Sequence, residues 1–247
     1  CTLSTLHNLL SFLDSMAAQG IHTDFIHLPE GNSRINVKVK HGDETEINGQ
    51  GPVITEEAIN ELFAKLDTLT KEDILVLAGS IPNTLPEDIY EKILARLESK
   101  GIRVVVDATK DLLLNVLKYH PFLIKPNNHE LGEMFGTVCK TDEDIVHYAK
   151  KLQEKGAVNV LISMAGDGAI LITEDGQNIK MGTPKGKVVN SVGAGDSMVA
   201  GFITGYIRGG NYEEALKSGT AAGSATAFSE GLASLEMYEK MLKQITE

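Results

Sequence analysis

From about residue 56 onward, short unbroken apolar runs alternate with stretches of helical periodicity, and no other feature of the chain restricts its fold so tightly. The runs at 73–78, 103–107, 122–125 and 158–163 carry apolar side chains at successive positions, so both faces of the sheet they form need cover. Helical stretches fall at 56–66, 86–100, 112–119 and 143–155. Pro86 opens the second from its first turn, and Gly101 and Gly156 close the second and fourth. This alternation predicts an α/β fold on a mostly parallel sheet. One more strand is expected at 169–173, antiparallel after a tight glycine turn, with three helices at 195–208, 212–228 and 235–245.

Residues 33–49 obey a different rule. Arg34-Ile35-Asn36-Val37-Lys38-Val39-Lys40 alternates polar with apolar, His41-Gly42-Asp43-Glu44 reads as a turn, and Thr45-Glu46-Ile47 resumes the strand. Such a hairpin keeps one face in water, so it reads as a flap inserted in the fold. No repeat, low-complexity tract or linker divides the chain, and residues 1–247 are expected to form one domain carrying this hairpin.

Composition narrows the function. The balance of 23 basic against 34 acidic residues, 23 − 34 = −11, disfavours nucleic acid and anionic membranes as partners but leaves room for a local phosphate site. No run is long enough to span a bilayer, and no basic-then-apolar leader opens the chain. Cys1 and Cys139 make no disulfide framework, so a reducing, cytoplasmic location is expected. The histidines show no zinc-ligand spacing.

The expected parallel strands all end in polar residues: Gly79-Ser80, Asp107, Lys125-Pro126-Asn127 and Ser163. Ligands of open parallel sheets bind just beyond those carboxyl ends. Near the C-terminus, Val192-Gly193-Ala194-Gly195-Asp196-Ser197 leads into an apolar helix. Glycines at a helix start free backbone N–H groups where the helix dipole is positive, which suits a phosphoryl group in transfer. A carboxylate there can take a proton from an attacking hydroxyl. The same residues also describe a glycine-rich helix start with a capping Asp.

The surrounding segments bring a family into view. The Gly-Ala-Gly-Asp segment, followed by the small-residue run Gly219-Thr220-Ala221-Ala222-Gly223-Ser224-Ala225, resembles the second signature of the ribokinase-like, PfkB-type carbohydrate kinases. Lys125-Pro126-Asn127-Asn128-His129-Glu130 is similar to that family's Asn-x-x-Glu element. Ile162-Ser163-Met164-Ala165-Gly166-Asp167-Gly168 resembles its nucleotide-binding strand and turn, and Leu77-Ala78-Gly79-Ser80-Ile81-Pro82 the stretch beside the acceptor sugar. Residues 32–37, 44–48 and 130–136 are similar to the branch that phosphorylates ketohexose phosphates, with fructose 1-phosphate as the first acceptor and tagatose 6-phosphate as the alternative.

The resemblance implies a three-layer α/β/α fold with a small β lid, an ATP-dependent kinase, Mg²⁺, and in some members a monovalent cation. It implies roles residue by residue. Asp196 would be the general base, with Gly193, Ala194 and Gly195 donating N–H groups to the γ-phosphate. Lys125, Asn127, Ser163, Gly166, Gly168, Ala222 and Gly223 would meet ATP, and Asn127 and Glu130 would hold Mg²⁺ through water. Arg34 and Ser80 would bind the sugar phosphate. Plainer readings stand beside these: Asn127 capping a helix, Lys125 snorkelling from a strand end, Arg34 a charge on an exposed hairpin, and Ala222 and Gly223 a close helix contact. A homodimer joined through the lid is a further implication. The family's opening Asn-Pro-x-x-Asp and Gly-Gly-Lys-Gly-x-Asn elements do not occur, and residues 1–19 do not resemble its start. The chain is therefore expected to represent an active enzyme incompletely, lacking N-terminal core strands and part of the lid. A protein that binds the same ligands without turnover is the alternative from another class.

Overall fold

The computed structural model describes residues 14–246 apart from Asn32, Gly42 and Gln50. The chain divides into two units, and the smaller takes in the described residues up to Leu69 with Ile81–Ile89. In it, β1 (Asn36–His41) pairs antiparallel with β2 (Asp43–Asn48). The register runs from Asn36↔Asn48 to His41↔Asp43, so pairing continues through residues expected in the turn. Polar–apolar alternation ends at Lys40, but backbone pairing needs no apolar side chain, so the ladder runs on to His41 and Asp43; Gly42 lies outside the described residues. Val37 and Ile47 pair in register, and both are exposed. Helix α1 (Glu56–Asp67) starts where the Thr55 side chain accepts from the Ala58 N–H, with Glu56 and Glu57 favourably placed in its first turn.

The larger unit holds the sheet. Helix α2 (Ile89–Leu97) begins later than Pro86 predicts, because residues 86–88 first close a turn in which the Ile89 N–H donates to the Pro86 carbonyl. It buries Ile89, Ile93, Leu94 and Leu97 along one stripe, and a 3₁₀ turn leads to Gly101. The parallel strands are β3 (Ile74–Ala78), β4 (Arg103–Asp107), β5 (Leu123–Ile124) and β6 (Asn159–Ser163). Strand β7 (Ala169–Ile172) returns antiparallel to β6, as the glycine turn predicts. Strand β8 (Asn178–Met181) was not expected. Its alternate residues are exposed, a pattern that reads as loop when apolar runs are the criterion. Sheet order is β3-β4-β5-β6-β7-β8.

Helices α3 (Lys110–Val116), α4 (Asn128–Met134) and α5 (Asp142–Glu154) fall between strands, and α6 (Ala194–Gly209), α7 (Tyr212–Ala227) and α8 (Leu235–Thr246) follow β8. Val105, Leu123, Leu161 and Leu171 present one sheet face to Met198, Val199 and Phe202 of α6 and to Ala215 and Leu216 of α7. The alternate residues Val106, Ile124, Val160, Ile162, Ile170 and Ile172 are buried on the other face, and α5 packs on β6 and β7. This accounts for the unbroken apolar runs: both faces are dry.

Helices α6 and α7 lie unusually close. A Cβ on Gly201 would come within 2.6 Å of the Ser218 carbonyl, and one on Gly205 within 2.6 Å of the Glu214 carbonyl. Under the sheet, Asn159 at the start of β6 is fully buried and satisfied by the Phe122 carbonyl, the Tyr212 hydroxyl and the Glu174 N–H. Burial, then the bond to Glu174, pushes the Tyr212 phenol above its ordinary pKa, so it stays a donor at any physiological pH.

Phe202 has no exposed surface and joins α6 to the sheet. Phe202→Ala is expected to cost about 3–5 kcal/mol of unfolding free energy, read as a lowered urea midpoint with an unchanged slope.

Candidate active site

Parallel neighbours bring the polar strand ends level with one another. The Gly79 N–H donates to the Asp107 carbonyl at 3.1 Å, and the Ser163 N–H to the Pro126 carbonyl at 3.2 Å. Asn127 and Ser163 form an isolated bridge beyond β5 and β6. The Val106↔Ile124 register, carried one step on, sets Asp107 beside Lys125. Side chains alternate along a strand, so Asp107 and Lys125 share the face of Val105 and Leu123, the one covered by α6. The Lys125 ammonium lies 3.3 Å from Asp107 Oδ1, and both side chains are largely buried.

Helix α6 brings its own start to the same place. Gly193 adopts φ 79°, ψ −1°, a left-handed conformation that a side chain would strain, and so turns the chain into the helix. A Cβ on Gly195 would lie 3.1 Å from Lys125 Nζ, so the ammonium rests against the first turn of α6. The Ala194 N–H is taken by the Ser191 carbonyl, and the first bond within the helix runs from the Ser197 N–H to the Gly193 carbonyl. The amide of Gly195 therefore points out of the helix end without an intrahelical acceptor. Asp196 follows on the first turn, exposed to solvent.

Asn127 and Glu130 sit in a capping box at the start of α4. Asn127 Oδ1 accepts from the His129 and Glu130 N–H groups at 2.9 and 2.8 Å, and Glu130 Oε2 accepts from the Asn127 N–H at 2.8 Å. Burial pushes the Asp107 carboxyl above its ordinary pKa; Lys125 pulls it back, and the nearby charges of Asp196 and Glu130 add to the rise. Asp107 thus feels the charges of Lys125, Asp196 and Glu130. Among the described residues, no set of His, Cys, Asp and Glu is grouped to ligate a metal directly. Glu130 Oε2 already accepts from the Asn127 N–H, which suits a hydrated Mg²⁺ held through its water.

The turn expected to meet the nucleotide follows β6. Ser163 is half-buried at the strand end, and the Gly166 carbonyl accepts from the Thr183 hydroxyl. Gly168 is demanded by its neighbours, since a Cβ there would lie 2.0 Å from the Met181 carbonyl. Ala165 takes φ 49°, a conformation that costs an alanine energy. The small residues of α7, expected to meet ATP, also pack against α6. Ala222 Cβ lies 2.7 Å from where Gly201 would carry one, and Gly223 faces the Ala194 carbonyl and Met198. Both serve the α6–α7 contact. Arg34, exposed just ahead of β1, belongs to the smaller unit, and Ser80, exposed after β3, to the larger. Asp107 is the site member that the sequence alone left out; its place at a strand end was the signal, and the register to Lys125 supplied the rest.

Comparison with known proteins agrees with this geometry. The model of the pfkB family carbohydrate kinases matches residues 10–237. The chain belongs to that family. It is 51% identical over 216 residues to the 1-phosphofructokinase of Bacillus subtilis, a match covering 87% of this chain and 71% of that protein. It is 37% identical over 226 residues to the D-tagatose-1-phosphate kinase of Bacillus licheniformis, covering 91% and 74% respectively. A crystal structure of a candidate phosphofructokinase from Staphylococcus aureus superposes with a TM-score of 0.85 at 44% identity, over 94% of this chain and 75% of that one. The mostly parallel sheet with helices on both faces is the ribokinase-like fold expected from the sequence. The described residues contain no helix long and apolar enough to cross a membrane.

Gly195→Ala is expected to separate stability from activity. Alanine is the better helix former by about 1 kcal/mol, and its methyl meets only the mobile end of Lys125, so the fold gains or holds. The ammonium must give by a few tenths of an ångström, which should lower kcat, by less than the roughly 100-fold that a misplacement of about 1 Å costs. Thermal melting and steady-state assay of the same preparation check both halves.

Proposed function

We propose that the chain transfers the γ-phosphate of ATP to fructose 1-phosphate, giving fructose 1,6-bisphosphate, with Asp196 as general base. Its 51% identity to a 1-phosphofructokinase is the observation that carries the acceptor. The attacking hydroxyl oxygen bonds to the γ-phosphorus while the bond from that phosphorus to the β–γ bridging oxygen breaks, and ADP leaves with that oxygen. Asp196 accepts the hydroxyl proton as the oxygen attacks. The Gly193 and Gly195 amides meet the equatorial oxygens, where negative charge spreads, and the positive end of α6 adds to their effect. Lys125 pairs with the nucleotide phosphates. Asn127 and Glu130 would hold Mg²⁺ through water, and the ion would neutralise phosphate charge. Arg34 suits the phosphate already on the sugar, because a guanidinium fork matches its oxygens. Ser80 lies beside the acceptor, and Ser163 with the Gly166–Gly168 turn meets the nucleotide. Ala222 and Gly223 meet ATP, and their small size also lets α6 lie close to α7. We place the reaction in the cytoplasm, where ATP is available.

Tagatose phosphate is the second acceptor, and the B. licheniformis relative is named for the 1-phosphate. Coupled ADP release with Mg-ATP should be fastest with fructose 1-phosphate in a panel that includes tagatose 1-phosphate, tagatose 6-phosphate and fructose 6-phosphate. Saturable sugar-phosphate binding without ADP release would make the protein a binder instead. Replacing potassium by choline in this assay tests the monovalent cation. Asp196→Asn should lower kcat by about 1,000-fold or more with ATP affinity nearly unchanged; retained turnover would place the base elsewhere.

The hairpin is the proposed dimer contact, supported by the exposed pair Val37 and Ile47 on one face of β1–β2. Sedimentation should show a dimer, and the double change Val37→Asp, Ile47→Asp should leave a monomer with its melting temperature held.

A further inference from the structure

Lysine is a compact charge on a long flexible stem, and an ammonium left to itself samples many rotamers. Lys125 does not stand alone. Its backbone is fixed one residue beyond β5, its stem is buried, and its ammonium is stopped on one side by Asp107 at 3.3 Å and on another by the first turn of α6 at Gly195. The partner is equally fixed. Asp107 ends β4, its carbonyl accepts from Gly79, and the parallel register of β4 with β5 holds its side chain on the same face as Lys125. The two strands and α6 thus converge on one nitrogen atom.

We propose that Asp107 is a positioning residue for phosphoryl transfer: its carboxylate holds the Lys125 ammonium against the amino end of α6, aligned for the nucleotide phosphate before ATP arrives. The inference rests on the reading that Lys125 pairs with nucleotide phosphate. Asp107 itself is a poor neighbour for an anion, since its charge would repel what Lys125 attracts. Its presence is explained by preorganisation: a lysine already in place loses less freedom when the phosphate binds. The two roles predict opposite signs, which makes them separable.

The test is titration calorimetry with ADP in the presence of EDTA, so that no divalent ion takes part. The proteins are wild type, Asp107→Asn, Asp107→Glu, Lys125→Met and the double variant Asp107→Asn, Lys125→Met. Lys125→Met is expected to weaken ADP about tenfold or more. Asp107→Asn is expected to weaken it several-fold although a negative charge has been removed, and the double variant should bind no worse than Lys125→Met alone. Asp107→Glu keeps the charge on a longer arm and should fall between wild type and Asn. If Asp107→Asn binds ADP as well as wild type or better, or its loss adds fully to that of Lys125→Met, the positioning role is overturned. Unchanged binding by Lys125→Met would instead overturn the role given to the lysine. In Mg-ATP assays the half-saturating Mg²⁺ of Asp107→Asn should match wild type; a marked rise would make the carboxylate a metal-holding group and also overturn the proposal. Should Asp107→Asn melt too low to assay, the Asp107→Glu and Lys125→Met pair carries the same comparison.

Discussion

The site depends on how closely α6 can approach α7. Gly201 and Gly205 leave room for the Ser218 and Glu214 carbonyls, and Gly219 and Gly223 return the favour toward Met198 and Ala194. The contact is nearly backbone on backbone. It sets α6 on the sheet face formed by Val105, Leu123, Leu161 and Leu171, with Phe202 as its fully buried anchor. Once that axis is fixed, the start of the helix has one place to go, over the ends of β4 and β5. The Gly-Ala-Gly-Asp segment thus meets Lys125 because residues about two to three turns along α6 and α7 are small. Packing of this kind is dense and does not yield gradually, so an added methyl is felt at the far end of the helix.

An acidic protein can still build a phosphate site, because attraction at this range is decided by a few groups. Lys125 stands among Asp107, Glu130 and Asp196, and two of those carboxylates raise the cost of ionising the third. The backbone supplies the rest of the positive potential at the amino end of α6. Such a site is neutralised by what it binds, phosphates together with their metal ion, and its own charges are arranged for orientation rather than bulk attraction.

Much of this was legible in the residues. Unbroken apolar runs located β3, β4 and β6 and required cover on both faces; the alternation at 33–49 gave the hairpin; glycines marked the ends of α2 and α5. Two elements, β8 and α4, escaped, and β5, expected over 122–125, is shorter than its run. Strand β8 alternates exposed with half-buried residues at the sheet edge, and β5 keeps only Leu123–Ile124 because its flanks turn into Lys125-Pro126-Asn127. Helix α4 was hidden inside a segment read for its chemistry. At the site, Lys125, Asn127, Glu130 and the α6 start are brought together by the strand ends, as a parallel sheet requires. Asp107 was passed over because its importance lies in the register between two strands, which no local pattern encodes. Ala222 and Gly223 also pack against α6, a contact the sequence could not separate from a role at a ligand, because small residues look alike in either setting.

The capping box at α4 has a consequence for how this chain would age. Asn127 and Glu130 satisfy orphan amides at a helix start, a service worth about 1 kcal/mol irrespective of any metal. A descendant released from catalysis would keep both, because losing either still frays the helix. The exposed Asp196 is not the cap of its helix, since α6 opens on a glycine; its charge in the first turn contributes only about 0.3–1 kcal/mol and is more readily replaced. Drift would therefore reach Asp196 first, and a sequence bearing the Asn-x-x-Glu spacing without that aspartate would be a fossil of the enzyme with its architecture intact.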